Sequence, residues 1–534
     1  MPALNFEGSV LTGRNFTARD IVGSNFKGVV LNAVKFDRAL LGESDFSQSV
    51  WNNVSAVGAQ FFRPGVFGPA NFVDASFNSV NLTRAILREA DMTGLTSFNL
   101  TLERADLTGA KLVEATLGGN GVSGANLRYT IFDQADLTFA VMQDADLTGA
   151  SFRGAKLVET NMEGSKVLLT NFTGAEFVDF TFTDIDIYGA IFDLAKMVGM
   201  SWTDTQPVAG YTTTNLSFRG ADLTDFQSED SNFANADFRA HASGQATKMN
   251  GANFADSNLA GARMQGVEAV ESFFEDADLS GANLSGGNFA GANFNGADLT
   301  GANLRGANLT GAILTEANLS GADLTGAILD SANLGLAQGD ATTRFIGARM
   351  ENAILDNSSF PGTDFRDADL SYSSYRGANF SDAKFGDGND ADLVGAELDG
   401  GTFIDADFSF AQLKHAFLFN SDMSKSDFSG TVASGAGFTN SSFVDAAFVD
   451  AILIDAVFVT TDLSKTNFSG ANLTNADFTG SVFIDANLTG TASDFSIFAN
   501  ANLTNADFSQ ASLGGADFSD SNLSGTVFPP NYQP

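Results

Sequence analysis

Few residues in this chain carry the chemistry from which enzymes are usually built. There are two histidines, His241 and His415, and no cysteine. Nucleophilic catalysis by Ser or Cys needs an imidazole within hydrogen-bond reach, and the two histidines stand in different segments with no such partner in view. No phosphate-cradling loop, dinucleotide fingerprint or metal-binding histidine pair is present, so no cofactor is expected. What the chain offers is carboxylates: 64 Asp and Glu against 28 Lys and Arg, a formal net charge of −36. Two carboxylates divide acid and base roles only where a pocket raises the pKa of one. The run GDGNDAD at 386–392 gathers oxygen ligands as calcium prefers, through Asp387, Asn389, Asp390 and Asp392. Its spacing is not that of an EF-hand loop and no Glu closes it, so a polar loop bulging from a corner is the competing reading. Asp445, Asp450 and Asp455 recur at intervals of five.

Five is the interval on which the whole chain is built. In GADLTGANLRGANLTGA (296–312), Ala recurs every five residues, with Gly just before it and Leu two positions after. A helix repeats its faces every 3.6 residues and a strand every two. Five helical steps would leave successive large residues about 140° apart, burying no common face. Gly, Asn, Asp, Ser and Thr are also poor helix-interior residues. A short extended segment fits better. In Ala297-Asp298-Leu299 the Ala and Leu point to one side and the Asp to the other. Thr300 and Gly301 then turn the chain. The Asp residues therefore fall mostly at the outward slot and read as a solvated face. Five apart means adjacent sides, so Asp445, Asp450 and Asp455 do not share one ion.

Following the large apolar residue at each centre gives runs from Phe6 to Phe61, Phe67 to Trp202, Phe218 to Phe238, Met249 to Leu334, Phe345 to Phe385 and Leu393 to Phe528. Within them a longer period appears. Phe408, Phe428, Phe448 and Phe468 are twenty apart, and Phe438, Phe458, Phe478 and Phe498 run ten residues out of phase. A period of twenty means four sides per turn, with rings stacked on two opposite walls and Leu elsewhere. Backbone hydrogen bonds then run between coils as in a parallel sheet. The roughly one hundred slots predict about 25 coils, a rod on the order of 120 Å at ~4.8 Å per coil.

Ala-Asp-Leu-Thr-Gly, Ala-Asn-Leu-Arg-Gly and Ala-Asp-Phe-Ser-Gln (506–510) resemble the A(D/N)LXX motif of pentapeptide-repeat proteins, over nearly the whole chain. The resemblance implies an all-β, right-handed quadrilateral parallel β-helix with Ala and the central Leu or Phe inward. It implies little about activity. One branch of that family comprises acidic DNA mimics that bind DNA gyrase and confer fluoroquinolone resistance, as shorter rods that dimerise through a C-terminal element. This chain is much longer, and its end, NLSGTVFPPNYQP, shows no obvious helix.

Charge and hydropathy bound the function further. Residues 1–267 carry 19 basic and 29 acidic side chains, and 268–534 carry 9 and 35. So acidic a surface repels phosphate backbones, so direct nucleic-acid binding is not expected. Solubility explains the acidity most simply, and a basic partner is the sharper explanation. No apolar run reaches the length of a membrane span and no signal peptide is read at the start, so a cytoplasmic location without membrane insertion is expected. The Asn-X-Ser/Thr triplets follow from repeat composition.

The interruptions are the candidate recognition elements: one continuous β-helix over 1–534, with loops near 62–66, 203–217, 239–248, 335–344 and 386–392 and a tail at 529–534. Loops on a rigid scaffold often carry recognition. Tyr211 is a candidate anchor for a partner. Pro529, Pro530 and Pro534 remove donors and blunt one end, whereas the N-terminal end begins almost at once with Phe6, a candidate contact for a partner or for end-to-end self-association. The expected function is a non-catalytic, rigid, acidic scaffold that binds unidentified protein partners. The alternatives are a gyrase-type DNA mimic and a surface, virion or ice-binding fibre.

Overall fold

The computed structural model describes residues 3–118, 124–182, 185, 187–202, 215–386, 391–530 and 532–534. The chain divides into two compact units, 1–272 and 273–534. Among the described residues both are all-β, and each is a right-handed quadrilateral parallel β-helix.

The sides are so short that pairing rarely extends past one residue. Nine strands of two or three residues occur among the described residues, all in the first unit. Five of them, β1 (Val10–Thr12), β2 (Val30–Asn32), β3 (Val50–Asn52), β4 (Ser76–Asn78) and β5 (Thr96–Phe98), form one parallel sheet in that order. Leu31 pairs with Trp51, and Trp51 with Phe77. Then come β6 (Lys156–Val158), β7 (Glu176–Val178), β8 (Thr181–Phe182) and β9 (Ser201–Trp202), paired β6 with β7 and β8 with β9. In the second unit single residues bridge in parallel at a spacing of twenty, for example Asp298 with Asn318 and Asn303 with Asp323.

One pentapeptide shows how the corner forms. The Leu299 amide donates to the Asn318 carbonyl one coil on, at 2.8 Å. The Ala302 amide donates back to the Leu299 carbonyl at 2.9 Å, closing a four-residue turn. Gly301 is its third residue, at φ +64°, the left-handed position that a type II turn requires. Nothing lies within 4 Å of where a Cβ at Gly301 would sit. Gly301→Ala is therefore expected to cost about 1 kcal/mol, the left-handed backbone penalty without a clash. Denaturant unfolding of the purified variant checks this.

The interior follows the twenty-residue columns. Phe408, Phe428, Phe448 and Phe468 stack with centroids 4.8 Å apart and planes within 9°. Phe438, Phe458, Phe478 and Phe498 stack in the opposite column at 4.4 to 5.1 Å. Where Ser or Thr replaces the inward Ala, its hydroxyl donates to a buried carbonyl, either of the preceding coil, as Thr160 to Leu137 at 2.8 Å, Ser165 to Met142 at 2.7 Å and Ser421 to Leu398 at 2.7 Å, or three residues back in its own, as Ser358 to Leu355 at 2.6 Å. That satisfies a polar group that would otherwise be stranded in the core.

The insertions show as changes in the bridge spacing. It widens to 26 where Asp45 pairs with Asn71, because six extra residues fold outward as a hairpin bridged between Arg63 and Phe67. Phe67, expected as the first centre of a run, is not in the ladder: its ring covers Gly42, where a Cβ would lie 1.7 Å from the ring. The spacing is again 26 from Ile191 to Ser217 and from Asp222 to Lys248, 23 from Asp369 to Asp392, and 21 from Asp323 to Arg344. The last step means that most of 335–344 stays in the wall. Gln338 bridges both neighbours, and Gly339 takes a centre slot that apolar tracking overlooks. One insertion escaped the sequence period altogether. Thr101 pairs with Asn126 and Thr116 with Val141, a spacing of 25, so the stretch from Gly118 to Gly124 holds five residues more than a coil needs.

Candidate functional site

The outward Asp and Asn, which looked like a free solvated face, are largely engaged by the backbone. The side-chain oxygen of Asp298 accepts the Thr300 amide at 3.0 Å, and Asn303 accepts that of Arg305 at 3.1 Å. The same contact from residue i to the amide of i+2 recurs in both units, as in Asp136 with Thr138 and Asp477 with Thr479. These oxygens hold the corners. Outward amides also link coils: Asn52 donates to Asn32, Asn308 to Asn288 and Asn487 to Asn467, each at 2.9 Å.

Such contacts lower carboxylate pKa values. Hydrogen bonds from Thr342, Gly321 and Thr343 hold Asp340 below the ordinary range despite some burial. For Asp323, burial pushes upward, but bonds from Thr325 and Arg305 outweigh it and the net shift is down. For Asp517 the Ser519 contacts are the cause. Folded pKa values below the unfolded value add stability that is present above about pH 4 and lost as pH falls through the folded values. With repulsion among the surface charges screened at ~0.5 M salt, the melting temperature should be flat from about pH 8 to 5 and fall below about pH 4. A thermal melt series over that range checks it.

Of the four calcium candidates, Asp387, Asn389 and Asp390 lie outside the described residues, as does Tyr211. Asp392 bridges Asp369 and Gln412 in the wall, and its carboxylate accepts the Val394 amide at 3.0 Å. No group of three or more His, Asp or Glu placed to hold a metal occurs among the described residues. The histidines remain apart. His241 sits in the 239–248 hairpin, where the Ser243 amide donates to Nδ1 at 3.2 Å. His415 lies in the second unit, at a left-handed corner over Gly435. Phe6 is half-buried and stacks on Phe26 at 5.0 Å. In the tail, Tyr532 stacks on Phe528 at 5.5 Å, a cover that proline content alone did not suggest.

Two insertions are built against the walls. In the 239–248 hairpin the Gln245 amide donates to the Gly220 carbonyl at 2.6 Å, and the Thr247 hydroxyl to that of Phe218 at 3.0 Å. Beside it Asp237 is nearly buried, with Arg239 at 2.9 Å and Arg263 at 3.2 Å. Burial raises its pKa, but hydrogen bonds from the Arg239 guanidinium and amide, with the charge of Arg263, more than offset that and the net shift is down. The 62–67 hairpin overhangs a cavity of about 430 Å³, lined by Phe62, Arg63, Pro64, Ile86 and Arg88 with Gln60 and Asp106. Arg88 pairs with Asp106 at 2.6 Å. The lining is mixed, with Phe62, Pro64 and Ile86 beside Gln60, Arg63, Arg88 and Asp106, and with Arg88 paired to Asp106 it is Arg63 that is placed to meet an anionic group.

A further pattern appears only when outward residues are read along the ladder. On the wall behind Phe72 and Phe177, one outward residue per coil alternates in sign from Asp91 to Glu268. Lys111 lies 3.8 Å from Asp91, Lys156 3.8 Å from Asp136, Lys196 3.6 Å from Glu176 and Lys248 3.8 Å from Asp222.

The comparisons agree with this architecture. The Pentapeptide repeats family model matches 70–94, 123–157, 145–184, 245–276, 274–311, 302–337, 343–387, 389–424, 461–492 and 495–528, together more than half of the chain. It counts eight copies, a different figure from the 25 coils the period suggested. No curated protein sequence matches. Among solved structures, HetL, a pentapeptide repeat protein involved in heterocyst differentiation regulation from the cyanobacterium Nostoc sp. strain PCC 7120, is 22% identical over 60% of this chain and 88% of its own, with a TM-score of 0.13. QnrB1, a plasmid-mediated fluoroquinolone resistance protein, is 18% identical over 42% of this chain and 92% of its own, with a TM-score of 0.18. The alginate lyase AlyGC is 9% identical over 98% and 97%, with a TM-score of 0.20. At these scores no argument about activity passes from those structures to this one. By its repeats, matched over more than half of its length, the chain belongs to the pentapeptide-repeat family.

Proposed function

We propose that the protein is a non-catalytic acidic scaffold that binds protein partners through elements inserted into its walls. The observation that carries this reading is the division of labour between wall and insertion. In the walls one side-chain oxygen of many outward Asp and Asn residues is spent on its own turn. The 62–67 hairpin instead holds Phe62, Arg63 and Pro64 over a mixed polar and apolar cavity whose floor is Ile86 and the Arg88–Asp106 pair of the wall. Phe67, docked over Gly42, fixes that hairpin in place. A preorganised groove binds with less ordering cost than a loose loop.

A second reading rests on the charge distribution: residues 268–534 carry 35 acidic and only 9 basic side chains. Such a surface would serve a mimic of DNA that inhibits a type II topoisomerase. One experiment separates the two. Affinity capture with the full chain from native lysate, read by mass spectrometry, runs alongside a supercoiling assay. The scaffold reading expects one defined protein retained through a ~0.5 M salt wash and unaltered supercoiling. Supercoiling inhibited at stoichiometric protein and restored by salt would replace it with the mimic.

A further inference from the structure

The alternating charges lie on one wall of the first unit, but their order is not set by the sequence period. Along the bridges the steps are 20 residues from Asp91 to Lys111, 25 to Asp136, 20 each to Lys156, Glu176 and Lys196, then 26 each to Asp222 and Lys248. Three insertions intervene, yet the sign changes at every coil. The alternation follows the folded ladder.

Within one chain, alternation avoids like charges stacked one coil apart at ~4.8 Å. That explains the order but leaves these groups incompletely used. The four pairs sit at 3.6 to 3.8 Å, beyond hydrogen-bond distance. The Lys side chains are 49% to 67% exposed. The ammonium donors therefore remain available to a partner, as does the second carboxylate oxygen of Asp91, Asp136 and Asp222, whose Oδ1 atoms are held by their own turns. Two residues on in each side runs a second column, Val113, Thr138, Val158, Val178, Val198 and Thr224. Val178 and Val198 are 38% and 51% exposed beside a cavity of about 580 Å³ that Glu176 and Lys196 also line.

We infer that this wall is a self-complementary surface on which a second copy of the chain docks antiparallel. A half-turn about an axis parallel to the sides reverses coil order and keeps each column opposite its own kind. With the axis between the coils of Glu176 and Lys196, Lys196 of one copy faces Glu176 of the other, Lys156 faces Asp222, Lys248 faces Asp136 and Lys111 faces Glu268. Every contact joins opposite charges and occurs twice, as an isologous interface requires. Val178 meets Val198 at the centre, with the charges forming the rim. Over most of its surface a chain of charge −36 repels its copies. On this strip the charges attract, which fixes both partner and register.

The test uses sedimentation velocity on three full-length chains. Wild type is expected to dimerise at low salt, with affinity at least about tenfold weaker at ~0.5 M salt. A chain with Lys156, Lys196 and Lys248 changed to Glu should be monomeric, as should one with Asp136, Glu176 and Asp222 changed to Lys. Mixed one to one, they should form a heterodimer. Circular dichroism establishes that each folds. Val198→Arg, which leaves the charge column intact, should also be monomeric and serves if a triple variant does not fold. A monomeric wild type at low salt, a dimeric Val198→Arg, or folded triple variants that stay monomeric when mixed would each overturn the inference.

Discussion

Phe448→Ala is expected to destabilise the second unit by about 3–5 kcal/mol, the usual range for removing a buried ring. Phe448 stacks between Phe428 and Phe468 at 4.8 Å on either side and meets Phe443 at 5.3 Å and Phe458 at 6.0 Å. Its loss opens a void that neighbouring coils cannot close, because their backbones are fixed by bridges on every side, such as Ala447 with Asp427 and Asn467. In a solenoid each coil is stabilised mainly by its neighbours. The damage should be local, with amides on the 428, 448 and 468 coils losing hydrogen-exchange protection first. Phe448→Leu should cost less, below about 2 kcal/mol, because Leu488 already occupies the same column next to Phe468 and Phe508. Denaturant unfolding with hydrogen exchange read by mass spectrometry checks both magnitude and location. Uniform loss of protection across 273–534 would contradict the local account.

The second large effect is a coupling between Gly339 and Phe360. A Cβ at Gly339 would lie 2.5 Å from the Phe360 ring, which fills the space that a Leu centre would otherwise occupy. Gly339→Leu alone should cost about 1–3 kcal/mol through overpacking. Phe360→Leu alone leaves that space underfilled and should cost a similar amount. Combined, the two restore the regular pattern of one Leu per side. The double variant should therefore be more stable than the sum of the single losses by about 1–3 kcal/mol. Additive losses would show that Gly339 is not a centre slot.

The inward half of this fold was legible because it repeats in residue type. The Phe columns at 408–468 and 438–498 are readable in the sequence itself, since most centre slots hold a large apolar residue. The outward half was not, because it depends on the true coil spacing. The five-residue insertion between Gly118 and Gly124 keeps the period in phase and is invisible to it. Every column beyond it is displaced unless the bridges are known, so the Lys and Asp ladder from Asp91 to Glu268 could not be assembled from sequence. Phe67 was misplaced for a related reason: an apolar residue at nearly the right interval looks like a centre, although its ring covers Gly42 from outside the ladder. Gly339 was the converse, a centre without a side chain. The six-residue hairpin at 62–67 was visible only as a break, and its groove depends on Ile86, Arg88 and Asp106 from the next coils.

Under the proposed function, recognition resides in the inserted hairpins. Excising residues 62–67 removes the six extra residues and should return the bridge spacing there from 26 to 20. Excising 241–246 does the same for the second hairpin. Affinity capture from native lysate with the full chain and each excised chain, quantified by mass spectrometry and with folding verified by circular dichroism, is the most direct measurement. The account predicts that the chain lacking 62–67 folds and loses its principal partner by at least about tenfold, the scale of one well-formed anchor. Undiminished capture by both excised chains would contradict it.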